Sequence, residues 1–448
     1  MQRNLHEGNL LKNIGIFSIP FLLSSFLQTL YGVVDLFIVG QFTDAAGITA
    51  VAVGSQVMHF ITVIIVGFSM GITVTIAQSV GAKRNRSIAR ILGNAIVLFS
   101  YISVALTLLL TTICPQIVSA LATPVEAIEF TKSYLFVCFW GLPLVVAYNV
   151  ISAAFRGVGD SKSPMYFIAA ACVINIGLDF VFVGPLNMGV KGAAIATIIS
   201  QGLSVVIALL ALRYSKKVSL GVGLARKDFR LHKGLAAKMT SIGTPVAVQD
   251  GFIQISFLLI TAIANSRGLE IAAAVGVVEK IICFLFLVPS AMLSTVSAIG
   301  AQNIGAGQIG RAKQTLAYGC SIAAGFGLIV GILFQFISEP VLAWFTDDPK
   351  VIIYGAQYLH AYVFDCMVAG VHFCFSGYFC ACGLSIISFA HNAISIVTLR
   401  IPGVYLSSLW YPDTLFPMGI ATLAGSTLSM IICIVAFVLL SHRESRKA

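Results

Sequence analysis

The chain has 448 residues, 58% of them apolar and 10% charged, which excludes an ordinary soluble protein, whose charged fraction is roughly 25%. At about 20 apolar residues per membrane crossing, this composition supplies about a dozen spans, the size of a polytopic transporter or channel rather than an anchored enzyme. The formal net charge of +10 does not point to nucleic acid, because the basic residues fall in short clusters between apolar runs, as in the cytoplasmic loops of membrane proteins.

In chain order the runs lie near residues 13–40, 48–80, 91–119, 130–155, 164–186 and 188–212, then 239–264, 270–300, 314–338, 351–377, 383–409 and 416–440. The fold class is therefore all-α and polytopic, with twelve transmembrane helices in two pseudo-symmetric six-helix lobes. The first run is too long for a signal-peptide core and has no small-residue cleavage site behind it, so it reads as an uncleaved span. Twenty-one of the 27 Lys and Arg, from Arg3 and Lys12 through Lys83, Arg84, Arg156 and Lys238 to Arg311 and Arg443, fall at the N-terminus, after even-numbered spans or at the C-terminus. The opposite side holds only Lys132, Lys191, Arg267 and Lys350. Both termini are expected to be cytoplasmic in a plasma (inner) membrane. Glu126, Glu129, Asp347, Asp348 and Asp413 then face outward, and Trp344, Trp410 and Tyr411 lie at outer span ends. The ten cysteines sit within or close to apolar runs and read as buried free thiols.

The two sets of six spans repeat one plan. Ala77-Gln-Ser-Val-Gly-Ala recurs as Ala301-Gln-Asn-Ile-Gly-Ala, Ala50-Val-Ala-Val-Gly54 as Ala272-Ala-Ala-Val-Gly276, Pro20 as Pro245, and Tyr134-Leu as Tyr358-Leu, at separations between 222 and 225 residues. A spacing held over three helices marks an internal duplication. Because each copy holds an even number of spans, both enter the membrane in the same sense, which predicts two parallel lobes with a substrate path between them. Residues 1–212 form the expected N-terminal lobe, 213–238 a basic cytoplasmic linker, and 239–448 the C-terminal lobe.

On these residues the chain resembles the multidrug and toxic compound extrusion (MATE) transporters. The resemblance spans nearly the whole chain and rests also on Val34-Asp-Leu-Phe-Ile-Val-Gly40, Arg156-Gly-Val-Gly-Asp160, and Asn175-Ile-Gly-Leu-Asp179 with Met188-Gly-Val-Lys-Gly-Ala-Ala-Ile-Ala-Thr197. It implies a V-shaped pair of lobes that exports drug-like, often cationic compounds in exchange for protons or sodium by alternating access. It implies no cofactor beyond that coupling ion, no enzymatic reaction and no nucleic-acid partner. Small organic cations, the lipid bilayer and a monomeric state are the expected associations.

Asp35, Asp179, Asp250, Glu279 and Asp365 fall within spans, and charge at bilayer depth is costly enough to mark each as a functional candidate. Asp35 and Asp179 match acidic positions of the family's amino-terminal lobe. Asn175 precedes Asp179 by one turn, Thr197 adds a hydroxyl, and Tyr31 and Gln28 lie one and two turns before Asp35. Carboxylate, amide and hydroxyl oxygens suit sodium or a proton held in a polar network. In the second lobe the position equivalent to Asp35 is near Ile260 and is not acidic. Asp250, Gln254, Asp365, Glu279 and His372 are the candidates for its substrate cleft. Glu279 and Lys280 are adjacent and do not face one another, so Arg400 is a candidate partner for Glu279 or Asp365. Pro20 is a candidate hinge. His360, Cys366, His372, Cys374, Cys380 and Cys382 have poor spacing for a tetrahedral metal site.

No GxxxxGK[ST] stretch is present, which disfavours an ATP-driven pump. The alternative of similar architecture is a lipid or lipid-linked oligosaccharide flippase. It requires a cationic cleft for pyrophosphate, whereas Lys280 and Arg400 are the basic residues within the expected spans.

Overall fold

The computed structural model describes residues 4–121, 123–214 and 225–445. These residues form helices in the order α1 (Leu10–Phe42), α2 (Ala45–Gly81), α3 (Asn85–Thr112), α4 (Cys114–Ala120), α5 (Ile128–Trp140), α6 (Leu142–Gly157), α7 (Lys162–Val183) and α8 (Gly189–Tyr214). They continue with α9 (Lys233–Asn265), α10 (Leu269–Leu285), α11 (Leu287–Gly305), α12 (Ile309–Leu342), α13 (Pro349–Tyr362), α14 (Asp365–Ala381), α15 (Ser385–Ser395), α16 (Ile401–Trp410) and α17 (Phe416–Ser445). Ten stretches are long and apolar enough to cross a membrane. Two further pairs, α5 with α6 and α13 with α14, are apolar enough to span only together and are bent by 47° and 40° at their breaks. With each bent pair counted as one span, the described residues hold the twelve spans read from the sequence.

Local chemistry sets the joints. Asp44 caps α2 by accepting the Gly47 N–H at 3.0 Å, and Asp348 caps α13 through the Lys350 N–H at 2.9 Å. In Arg156-Gly-Val-Gly-Asp160 the chain turns at Gly159 with φ +89°. Asp160 then accepts the Lys162 and Ser163 N–H groups, both at 3.0 Å, to open α7. After the two Ala-Gln repeats the chain turns at Lys83 (φ 56°) and Gly307 (φ 74°), equivalent places in the duplicated plan.

Contacts divide the chain into two compact units. One is built chiefly from Ile19–Gly243, the other from His6–Ser18 and the chain from Thr244 onward. Both divisions fall one residue ahead of a helix-interior proline, Pro20 of α1 and Pro245 of α9. The first unit packs around Ile72, Ile76, Leu92, Phe139 and Leu142, with a second cluster at Tyr31, Tyr148, Phe155 and Phe167. The core of the second includes Ile260, Val275, Tyr358, Tyr362 and Met418.

Glycines let backbones touch where apolar side chains on lipid-facing helices supply little drive to associate. A Cβ on Gly71 would stand 2.0 Å from the Met239 carbonyl oxygen, and one on Gly377 2.4 Å from that of Leu293. Gly32 is a looser case, with only Ser55 nearby at an ordinary 3.6 Å.

The basic linker 213–238 is only partly within the described residues: 215–224 lie outside them, as do Arg3, Arg446 and Lys447. Its later part joins the first unit. Asn94 of α3 donates its side-chain N–H groups to the carbonyls of Arg230 and His232 at 3.1 and 3.3 Å. Gly93 beside it lets the Asp228 carbonyl approach to where a Cβ would lie 2.2 Å away. None of the ten cysteines is in a disulfide, and seven are buried. Contrary to the expectation of uniform burial, Cys320 and Cys382 are half-buried and Cys283 is exposed on α10, next to the exposed Phe284.

Candidate functional site

In the first unit, α1, α7 and α8 bring to Asp35 residues 140 to 162 positions away in the chain. Asp35 is 2% exposed, and Asp179 and Asn175 are fully buried. Thr197 donates its hydroxyl to Asp35 Oδ2 at 3.0 Å. The same hydroxyl lies 3.0 Å from the Ala193 carbonyl one turn earlier, so its single proton serves one acceptor at a time. Asp179 and Asn175 also face the Asp35 carboxylate. Tyr31, one turn before Asp35, lies close to both carboxylates. Gln28, half-buried a further turn away, takes no part in these interactions.

The cluster is rich in buried oxygen and short of donors. Asp35 Oδ1, both Asp179 oxygens, the Asn175 side-chain oxygen and nitrogen and the Tyr31 hydroxyl have no hydrogen-bond partner. Such orphans are uncommon in folded proteins and call for an explanation. No basic side chain is among the described groups facing either carboxylate. Hard oxygen donors with two formal negative charges fit one or two protons or a monovalent alkali cation.

Among the described residues, the second unit has no copy of this arrangement. Ile260, at the place equivalent to Asp35, is buried in the core. Thr261, one residue on, donates its hydroxyl to Glu279 Oε2 at 2.8 Å, which supplies the partner that Lys280 does not. Asp365 is fully buried, and neither of its oxygens is hydrogen-bonded. Arg400 faces both Glu279 and Asp365. No ion pair within 4.0 Å joins it to either among the described residues, and its Nη2 instead donates to the Tyr362 hydroxyl at 2.8 Å.

The remaining candidates lie elsewhere. Asp250 is half-buried on α9, and its described neighbours include Cys380. Cys380 lies fifteen residues beyond Asp365 on one helix, about 22 Å of helical rise. Asp250 and Asp365 are therefore not one ligand pair. Gln254 is half-buried one turn beyond Asp250. His372 is buried on α14, its ring 5.5 Å from that of His391.

Sequence reasoning passed over His391, Gln249 and Tyr362. His391 is fully buried and bonded at both ring nitrogens, to Ser376 at 2.8 Å and Ser429 at 2.6 Å. Gln249 accepts the Ser388 hydroxyl at 2.7 Å. The stripe Ser385, Ser388, His391, Ser395 at helical spacing was the available signal. Tyr362 was marked by Tyr358 one turn earlier and Asp365 three residues on.

The family model described as MatE matches residues 20–181 and again 245–406. The chain belongs to the MatE family. The two matches begin at the repeated prolines and lie 225 residues apart, the spacing of the duplication. As a MATE protein it is a multi-span membrane transporter and not an enzyme. It is 27% identical over 414 residues to the probable multidrug resistance protein YpnP of Bacillus subtilis (strain 168), covering 92% of each chain. Over 360 residues it is 25% identical to the FAD transporter of Shewanella oneidensis, covering 79% of this chain and 77% of that one. The fold matches a crystal structure of MATE in the bent conformation with a TM-score of 0.90 at 20% identity, covering 99% and 97% of the two chains.

Proposed function

We propose that this MATE transporter exports drug-like, cationic compounds across the plasma membrane as an antiporter, driven by inward movement of protons or sodium. Asp35 and Asp179 hold the coupling ion, with Thr197, Asn175 and Tyr31 as neighbouring donors and acceptors. The observation that carries this reading is the buried two-carboxylate cluster with its orphaned oxygens. Relatives named as multidrug resistance proteins support efflux. Binding of the ion neutralises one carboxylate and relieves the repulsion between the pair, which favours one conformer over the other. Export follows by alternating access, with no cofactor beyond the coupling ion and with the monomer as the working unit.

The test is efflux of ethidium from cells lacking their own pumps, comparing wild type with Asp35→Asn while the proton and sodium gradients are collapsed separately. Wild-type efflux lost on collapse of one gradient names the ion, and Asp35→Asn should retain less than a tenth of it, the scale of about 1.4 kcal/mol. Full efflux by Asp35→Asn at equal expression would overturn the coupling role.

A second reading has one observation in its favour. The chain resembles a relative named as an FAD transporter, and Arg400 offers a buried cation. Equal ethidium retention in wild-type and empty cells, with release of a fluorescent anionic nucleotide by wild type alone, would favour that reading. Flipping of labelled lipid in vesicles would favour the flippase.

A further inference from the structure

The second unit holds Arg400 in place without giving its charge a direct counter-ion. Arg400 ends a π-helical stretch, Ile396–Arg400, between α15 and α16. Such insertions change the facing of the residues beyond them and recur at functional sites. Its Cβ packs where a Cβ on Gly425 of α17 would lie 2.7 Å away, so only glycine there leaves room for it. Ser395, at the start of the stretch, is bonded to the Gly425 carbonyl. The guanidinium lies 5.4 Å from the Phe257 ring centre and 5.9 Å from that of Tyr362, within cation–π range. The side chain is 6% exposed, and its Nε has no hydrogen-bond partner.

The carboxylates it faces are also incompletely satisfied. Both oxygens of Asp365 and Oε1 of Glu279 lack hydrogen bonds. Formal charges of the two carboxylates and the buried guanidinium sum to minus one, and the exposed Lys280 ammonium next to Glu279 acts on it more weakly than Arg400 does. An isolated charge at this burial costs several kcal/mol, so the cluster favours one further positive charge and disfavours a second.

We propose that Arg400 is a built-in cation that limits this cluster to one additional positive charge, and so selects monovalent over divalent organic cations. The inference rests on the reading that the exported compounds are cations. Arg400 is a specificity residue: it acts through the field at Asp365 and Glu279 rather than by touching the exported compound. The aromatic pair and the π stretch hold it near the carboxylates without quenching them. A fully formed salt bridge in its place would leave less negative potential for a ligand.

The experiment compares equilibrium binding of ethidium, a monocation, with propidium, its dicationic analogue, to the purified full-length protein in nanodiscs. Wild type should prefer ethidium. Arg400→Gln, with a formal charge of minus two, should shift the propidium-to-ethidium affinity ratio upward by about tenfold, the scale of one charge acting over several ångströms at an effective dielectric of about 20. Arg400→Lys should keep the wild-type ratio. The double variant Glu279→Gln/Arg400→Gln returns the formal charge to minus one and should restore it. It also keeps the test decisive if Arg400→Gln alone fails to fold, because a wild-type ratio without the arginine is what charge accounting requires. An unchanged ratio in folded Arg400→Gln, or an equal shift in Arg400→Lys, would overturn the proposal, as would a non-wild-type ratio in the double variant. Binding of neither dye by wild type or Arg400→Gln also sinks it, whereas the coupling role of Asp35 is judged separately by the efflux assay.

Discussion

Thr197 shows how much of the first cluster hangs on one proton. Its hydroxyl is the formed hydrogen-bond donor to Asp35, yet it also reaches the Ala193 carbonyl, as threonines in helices commonly do. A change in the charge on Asp35 therefore redirects the hydroxyl without moving the backbone. Thr197→Val keeps the shape and removes the donor. A hydrogen bond to a charged group contributes about 1.5–3 kcal/mol, so coupling-ion affinity should change by about tenfold or more, read from the ion concentration giving half-maximal efflux. Thr197→Ser should preserve the wild-type value, and an unchanged value in Thr197→Val would remove the hydroxyl from the site. The sequence placed Asp35, Asn175, Asp179 and Thr197 among the candidates because polar groups are rare in apolar spans. It did not contain the split of the second-lobe candidates, because whether Asp250 and Asp365 meet depends on which ends of α9 and α14 come together. Arg400 is similar: its residue type is visible, but its facing depends on a π stretch that Gly425, on another helix, accommodates.

At the scale of elements, the spans were legible and their breaks were not. Apolar length and the 222–225-residue repeat located twelve spans, because hydropathy alone selects what lies in lipid. The bends between α5 and α6 at Gly141 and between α13 and α14 at Val363–Phe364 leave no gap in the apolar pattern. Pro20 is the reverse case: a visible breaker inside a continuous helix. It lacks an N–H for the Ile16 carbonyl, while Ser24 donates to the Pro20 carbonyl at 2.9 Å. Its place beside the division at Ser18–Ile19 makes α1 a shared element with a weakened turn at the join. Pro20→Ala restores the missing donor and removes a helix-interior penalty of about 3 kcal/mol. Stiffening that turn should lower ethidium efflux several-fold at unchanged expression and with a melting temperature no lower than that of wild type. Wild-type efflux rates in Pro20→Ala would show that α1 does not flex there during transport.

For the whole molecule, orientation follows from charge rather than packing. The twenty-one basic residues at the termini and after even-numbered spans, against four on the opposite side, form a bias that the insertion machinery reads on short loops. The structure preserves the alternation that this argument needs, since the described helices pair into an even number of spans. Part of the basic linker is held to α3 through Asn94 and Gly93, so those charges stay beside the span ends, where they bias topology most. Green fluorescent protein fused after Ala448 should therefore fluoresce, and alkaline phosphatase at the same position should be inactive. Phosphatase fused after Pro124, in the turn following span three, should be active, since the charge bias predicts an outward-facing turn there. Active phosphatase at the C-terminus, with an inactive fusion at Pro124, would invert the molecule. The expected direction of ion entry through Asp35 and Asp179 would then have to be reversed.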